Sequence, residues 1–397
     1  MRCVPVVHVI TQLEFGGAQQ NTLYTVSKLD RDLFEPVLVT GPGGYLMREA
    51  RELDVPLHVA GSLQRRIRPP ADLAAFREIR GILRSLPRPP AIVHTHGSKA
   101  GILGRHAARR AGVPLIIHSI HGFGFTPGQP SLFRKALIEA ERFTARSTDH
   151  FIAVSHSNKA AGVGYGFFTP ERCSVIRSGF DLDLFRNARS NRDDLTGELA
   201  VPHDSPLVLM VACLKPQKAP LDFVGVAHEV HLRRPDAHFI LAGDGELRDD
   251  LSREIERFGL GKVFHSLGWR EDVPRLMKAG DVVILTSRWE GLPRVIPQAK
   301  AAGRPVVATA VDGSVEAIVD GVDGYLCPPG DVRALADRLL ALLSDPAAAR
   351  RMGEAGSRSV DEFDRDVMIK KQEDLYIRLL DEKGLVEKGE VPCRRGT

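Results

Sequence analysis

The chain has 397 residues, 43% apolar and 26% charged, an ordinary soluble balance with room for two domains. No run of about twenty apolar residues exists, which excludes a membrane-spanning helix, and residues 1–10 read as a first strand instead of a signal peptide. Net charge is +4 but uneven: residues 1–190 hold 25 Lys and Arg against 15 Asp and Glu, net +10, and the remainder is net −6. Such a basic front half suits an anionic partner (membrane surface, phosphorylated lipid or nucleic acid) or a solvated Arg-rich surface. The cysteines Cys3, Cys173, Cys213, Cys327 and Cys393 are scattered without a CxxC, which argues for reduced thiols of a cytoplasmic protein and against a zinc ribbon.

Residues 4–10 predict a strand, and Gly16-Gly17 sits at the turn into a helix reaching Leu29. Paired glycines there let the backbone approach a ligand, although a tight turn alone also accounts for them. Strands are expected at 37–40, 56–60, 92–96, 114–119 and 150–154, with helices at 46–53, 72–86, up to Arg110, and at 132–146. In 72–86, Phe76, Ile79 and Leu83 recur at helical spacing while Arg77, Arg80 and Arg84 share a second face. His94 and His96 are two apart, but no third ligand at fitting spacing is evident, so no metal is expected. His121 follows a strand end, where it is a site candidate or a plain loop residue. Alternating strands and helices predict a doubly wound parallel sheet, and no GxGxxG follows the first strand.

Residues 187–205 are polar, with Pro202 and Pro206 nearby, and read as an interdomain linker. A strand at 207–212 leads into a loop with Lys215 and Lys218, a pattern that favours anion binding. Further strands are expected at 238–242, 263–267, 282–285 and 306–308. Their following turns are Gly243–Gly245, Gly268-Trp269-Arg270 and Asp312–Ser314. After the strand at 282–285 comes Ser287 to Ala299, which contains Glu290, Gly291, Leu292, Pro293, Arg294 and Gln298. Glu290 and Gly291 mark a tight turn into a helix running to about Gly303. Pro293 suits the first helical position, and Pro297 falls in the first turn, where a missing N–H costs little. Free N–H groups there seat phosphate or sugar oxygens, and Glu290 stands ready to accept from hydroxyls.

Together these motifs resemble the retaining GT-B glycosyltransferases of glycosyltransferase family 4, over residues 4–385. Glu290 and Gln298 occupy the positions of that family's Glu-x7-Glu signature, with Gln298 in place of the second glutamate. The resemblance implies an α/β fold of two Rossmann-like domains facing a cleft. It implies an N-terminal acceptor-binding domain at 1–186, a linker at 187–205 and a nucleotide-sugar-binding domain at 206–362. A helix at 363–384 would cross back to the first domain, ahead of a frayed tail at 385–397. Gly16-Gly17 and Lys218 would contact the donor diphosphate. The family's arginine five residues before that lysine is here Cys213, and Lys215 is the candidate substitute. Glu290 and His121 would carry catalysis, orienting and stabilising the donor sugar from opposite walls. Gln298 would bind ribose hydroxyls, and Trp269 and Arg270 would lie along the base, with Gly291, Leu292, Pro293 and Arg294 completing the donor site. Asp181-Leu182-Asp183 matches the turn that closes the first domain, not a metal motif.

The implied reaction is retaining transfer, without a metal or other cofactor, from a nucleotide-diphosphate sugar, UDP before GDP. The implied acceptor is a polysaccharide, lipopolysaccharide or lipid-linked oligosaccharide. Arg77, Arg80 and Arg84 mark the expected membrane or acceptor surface; an anionic membrane, and not nucleic acid, is the expected partner there, with the protein expected to be cytoplasmic or peripheral on the inner face. A nucleotide-sugar epimerase and a non-catalytic binding module of the same fold are the rival readings.

Overall fold

The computed structural model describes residues 3–126, 128–190 and 192–385. The chain divides into two compact units, one of residues 1–179 and 365–397 and the other of residues 180–364. Most of the expected frayed tail, from residue 386 on, lies outside the described residues.

The first unit is built on seven parallel strands: β1 (Val4–Ile10), β2 (Phe34–Thr40), β3 (Leu57–Val59), β4 (Ile92–His96), β5 (Leu115–Ile120), β6 (His150–Ala153) and β7 (Cys173–Val175). Their spatial order is β3-β2-β1-β4-β5-β6-β7, so the winding reverses between β1 and β4. The central strands are apolar on both faces because helices cover both faces. Val7, Val9, Val93 and Ile116 pack with Ile79, Leu83, Ala100 and Ala107, from helices Pro69–Ser85 and Ser98–Ala111. Val6, Ile92, Leu115 and Ile117 pack with Met368, Ile369, Leu375 and Tyr376, from helix Arg365–Glu382. Gly104 permits the first of these contacts, since a Cβ there would lie 2.9 Å from Thr95 Cγ2 and 3.4 Å from Val9 Cγ1.

The second unit holds six parallel strands: β8 (Leu207–Val211), β9 (His238–Ala242), β10 (Phe264–Gly268), β11 (Val282–Leu285), β12 (Val306–Thr309) and β13 (Gly324–Cys327). The order β10-β9-β8-β11-β12-β13 places its reversal between β8 and β11. Phe223, Phe239, Phe264, Leu335 and Leu339 fill one side of its core. Both units are doubly wound parallel sheets, as expected.

Two features differ from the sequence expectations. The division falls at Gly179/Phe180, ahead of residue 187, and the stretch expected as linker carries helix Arg192–Leu199. The reason is anchoring within the second unit: Phe180 N–H bonds Phe363 O at 3.0 Å, Phe180 meets Phe185 edge-on, and Arg192 pairs with Asp281 at 3.1 Å. The helix expected from Pro293 to about Gly303 is shorter, Val295–Ala301, with Pro297 in its first turn.

Candidate functional site

In doubly wound sheets, ligands bind outside the strand carboxyl ends where the winding reverses. In the second unit that place is formed by the segments after β8 and β11. After β8, Leu214 N–H bonds Asp244 O at 3.0 Å and Pro216–Lys218 makes one 3₁₀ turn. Ala219 then takes a left-handed φ of 43°, which starts helix Pro220–His231. After β11, Thr286 Oγ1 donates to Lys218 O at 2.9 Å and to Ala219 O at 3.0 Å, and Arg288 N–H bonds Gln217 O at 2.8 Å. These bonds tie the two loops together.

The tie delivers Lys218 to Glu290, with Nζ to Oε1 at 2.5 Å and the two side chains 18% and 6% exposed. Ser287 Oγ donates to the same Oε1 at 2.5 Å, and Glu290 N–H donates to Asp312 Oδ2 at 2.7 Å. Asp312 reaches it from beyond β12, where Gly313 packs so closely on Gly291 that a Cβ would lie 3.0 Å from Leu292 Cα. Lys215 is partly exposed, and its ammonium makes no hydrogen bond or ion pair among the described residues. Neither Gly291 nor Leu292 has its N–H bonded among the described residues. The arrangement therefore offers two ammonium groups and backbone N–H donors beside one oriented carboxylate, which suits a diphosphate bearing a hydroxylated group.

The remaining residues expected in this unit are placed as follows. Cys213 is exposed with a free thiol. Gln298 lies in helix Val295–Ala301, and Arg294 immediately precedes that helix, its guanidinium lowered by burial to about 10. Trp269 is exposed. Arg270 is engaged by Asp272 at 2.8 Å and Glu198 at 2.7 Å, and the hydrogen bonds it donates to Asp272 raise its pKa further. Its guanidinium thus belongs to a structural network, and only the turn around it is left to meet a ligand.

In the first unit the reversal lies between β1 and β4. Gly16, in extended backbone, caps helix Gly17–Lys28. Along β1 and β4 a cluster of histidines is buried, and half-buried His121 follows β5. His8 Nδ1 lies 3.0 Å from His96 Nε2, and His96 Nδ1 lies 3.3 Å from His121 Nε2. His94 is held by Tyr376 Oη at 2.5 Å and Ser119 Oγ at 2.7 Å. Desolvation lowers all the buried rings, His8 to about 3 and His94 and His96 well below 6.5, so they are neutral near pH 7. A small cavity beside His96 and His121 is lined by Asn21 and Gln372.

The structure supplies the third histidine that spacing alone did not show: ring nitrogens of His8, His94 and His96 lie within 4.8 Å of one another. Sequence reasoning also missed Ser287, Asp312, Ser119 and Tyr376. Ser287, three residues before Glu290, was the one a local reading could have found. On helix Pro69–Ser85, Arg77 and Arg84 are exposed and Arg80 is half-buried, 5.8 Å from the Phe76 ring centre; Arg84 donates to Arg110 O at 2.8 Å.

Comparison with known proteins accords with this geometry. Residues 15–184 match the model of Glycosyltransferase Family 4 and residues 191–359 that of Glycosyl transferases group 1. The chain is 30% identical over 384 residues to the UDP-Gal:alpha-D-GlcNAc-diphosphoundecaprenol alpha-1,3-galactosyltransferase of Escherichia coli, covering 95% of this chain and 97% of that protein. Among solved structures, Anabaena HepE with UDP-glucose superposes with a TM-score of 0.80 at 23% identity, covering 95% of this chain and 100% of that one. Sucrose-phosphate synthase from Thermosynechococcus elongatus does so at 0.79 and 20% identity, covering 96% and 100%. With both units matched and a full-length relative at 30% identity, the chain belongs to the family 4 glycosyltransferases of GT-B fold.

Proposed function

We propose that the protein transfers a hexose from a UDP-sugar to a lipid-linked glycan with retention of anomeric configuration, and that it needs no metal. The observation that carries this reading is the Lys218–Glu290 pair at the β8/β11 reversal, with Lys215 unpaired beside it. In this reading, Lys218 and Lys215 meet the diphosphate and stabilise the charge that grows on it as the glycosidic bond breaks. Gly16-Gly17 and the N–H groups of Gly291 and Leu292 add neutral donors. Glu290, held by Ser287 and Asp312, accepts from the sugar hydroxyls, and His121 is the second residue that contacts the donor sugar. Gln298 accepts or donates to the ribose. The leaving phosphate oxygen takes the acceptor's proton, so no side-chain base is required. The E. coli relative, by its name, uses UDP-Gal and a diphosphoundecaprenol acceptor, which supports a UDP donor and a lipid-linked acceptor here. Such an acceptor suits a peripheral protein at an anionic membrane, and no described helix is long and apolar enough to cross one.

The test is transfer by the full chain from UDP-galactose, UDP-glucose, UDP-N-acetylglucosamine and GDP-mannose to a GlcNAc-diphospholipid, with and without EDTA. An α-linked product from a UDP-sugar in EDTA is expected. A β-linked product, or dependence on added divalent metal, would overturn the mechanism. Donor isomerisation without acceptor would replace it with an epimerase, and nucleotide binding without turnover would replace it with a binding module.

A further inference from the structure

Three imidazoles run in line through the first unit, from His8 through His96 to His121. His8 and His96 are buried, with rings 5.3 Å apart and planes within 13°. A neutral imidazole has one N–H and one lone pair, so two hydrogen bonds in series share one direction. Either every N–H points toward His121 or every N–H points toward His8.

The far end decides. His8 Nε2 is buried and has no hydrogen-bond partner among the described residues. If the chain ran toward His8, that nitrogen would carry an N–H with no acceptor, and orphaned buried N–H groups are rare and costly. The opposite direction leaves only a lone pair there. Burial keeps His8 and His96 uncharged, so neither escapes the choice by taking a second proton. Nor does His94 compete for the chain, since both of its ring nitrogens are met by Tyr376 and Ser119.

We infer that His8 and His96 are positioning residues whose N–H groups both point toward His121, fixing its ring and placing its single proton on Nδ1. His121 then meets its ligand as a neutral Nδ1–H donor. This consequence rests on the reading of His121 as the residue that faces the donor sugar. His8 and His96 touch no substrate and act through His121.

Histidine-selective ¹⁵N NMR on the full chain reads the tautomer, with the His121 signals identified by their loss in His121→Gln. The wild type should show His121 protonated at Nδ1, with Nε2 as acceptor. His96→Leu should move the proton toward Nε2 and lower kcat roughly three- to tenfold, with donor KM nearly unchanged. His96→Asn puts an amide N–H where Nδ1 stood and should restore both the tautomer and most of kcat. Wild-type His121 protonated at Nε2 would overturn the inference, and so would a tautomer change in His96→Leu without a fall in kcat. Stoichiometric Zn²⁺ retained by the wild type and lost in His8→Leu would also overturn it, because the nitrogens would then be ligands. If His96→Leu does not fold, the wild-type spectrum and His96→Asn decide. Full transfer by His121→Gln would overturn the sugar-facing role, while the tautomer signal still decides the direction of the chain.

Discussion

Each unit gathers polar side chains where its sheet reverses, but the two clusters are kept in opposite ways. The second unit keeps charges: Lys218 and Glu290 form an ion pair at the edge of solvent, and Lys215 stands unpaired beside them. The first unit keeps neutral rings: His8, His94 and His96 are buried, and desolvation has removed their charge. A charged cluster can exchange partners when an anion arrives. A neutral buried one holds geometry and is costly to disturb. The comparison assigns electrostatic work to the second unit and positioning to the first.

Removing the carboxylate should have the largest effect. A hydrogen bond to a charged group is worth about 1.5–3 kcal/mol, so Glu290→Ala should slow transfer roughly tenfold to over a hundredfold. Because Glu290 holds Lys218, the variant frees that ammonium, and nucleoside diphosphate affinity should hold or tighten. Steady-state transfer and calorimetric titration check the two halves. Wild-type rates, or weakened diphosphate binding, would break the contrast.

The two lysines should then differ from one another. Lys215→Ala and Lys218→Ala should each lose about 1.5–3 kcal/mol of diphosphate binding, with much less effect on nucleoside binding. Only Lys218→Ala leaves a buried carboxylate without its cation, so only that variant should also unfold at lower denaturant. Cys213→Arg should rescue Lys215→Ala and not Lys218→Ala. Titration of UDP with denaturation of the same variants checks this, and wild-type binding by Lys215→Ala would leave the diphosphate to Lys218 and the backbone.

How far the sequence showed these clusters follows from the same contrast. Lys218 and Glu290 were legible because strand, turn and charge lie within a few residues of each other in each segment. That they touch was not, since 72 residues separate them and the segments meet only through the β8/β11 pairing and the loop bonds that it brings together. The histidine cluster was half legible. His94 and His96 alternate along one strand, but His8 enters only through the β1/β4 register, where it sits beside His94. Tyr376 comes from a helix 282 residues away. The edge strands β7 and β13 were missed because three or four residues carry no period. Arg105, fully buried against Glu141 at 2.6 Å, was not singled out, because its partner lies 36 residues away on another helix.

Acid should separate the clusters next. His8 titrates near 6.5 unfolded and about 3 folded, so between those values the unfolded chain binds more protons. The stability it contributes is complete above pH 6.5 and is lost as pH falls toward 3. At pH 5 the loss from His8 alone is on the order of 2 kcal/mol, with His94 and His96 adding in the same direction. Urea midpoints at pH 7, 6 and 5 should fall in the wild type and fall less steeply in His8→Leu. Equal slopes would show that the cluster is not what acid attacks.

The smallest effect concerns the outer surface of the first unit, where a charged patch and an apolar one adjoin. Helices Pro69–Ser85, Ser98–Ala111 and Ser131–Ala145 pack side by side. Ile67 and Leu73 are exposed among Arg65, Arg66, Arg68, Arg77 and Arg80, and on the third helix Leu132 and Phe143 are 80% and 61% exposed near Lys135 and Arg146. Apolar side chains among unpaired cations suit the boundary of an anionic bilayer, where each cation contributes about 1 kcal/mol within a Debye length. The arginines should not count equally. Arg84 is exposed but donates to the Arg110 carbonyl at the end of the second helix, so its guanidinium is tethered there, while Arg77 is exposed and Arg80 is half-buried beside Phe76. Flotation with acidic liposomes should therefore weaken by about 2 kcal/mol in Arg77→Ser/Arg80→Ser, and adding Arg84→Ser should cost less than either of the others. Added salt should weaken binding, and Leu132→Ser/Phe143→Ser should weaken it at every salt concentration, because the apolar contribution is not screened. Equal binding to neutral liposomes, or three arginines of equal weight, would show that this face does not meet the membrane as the exposed side chains suggest.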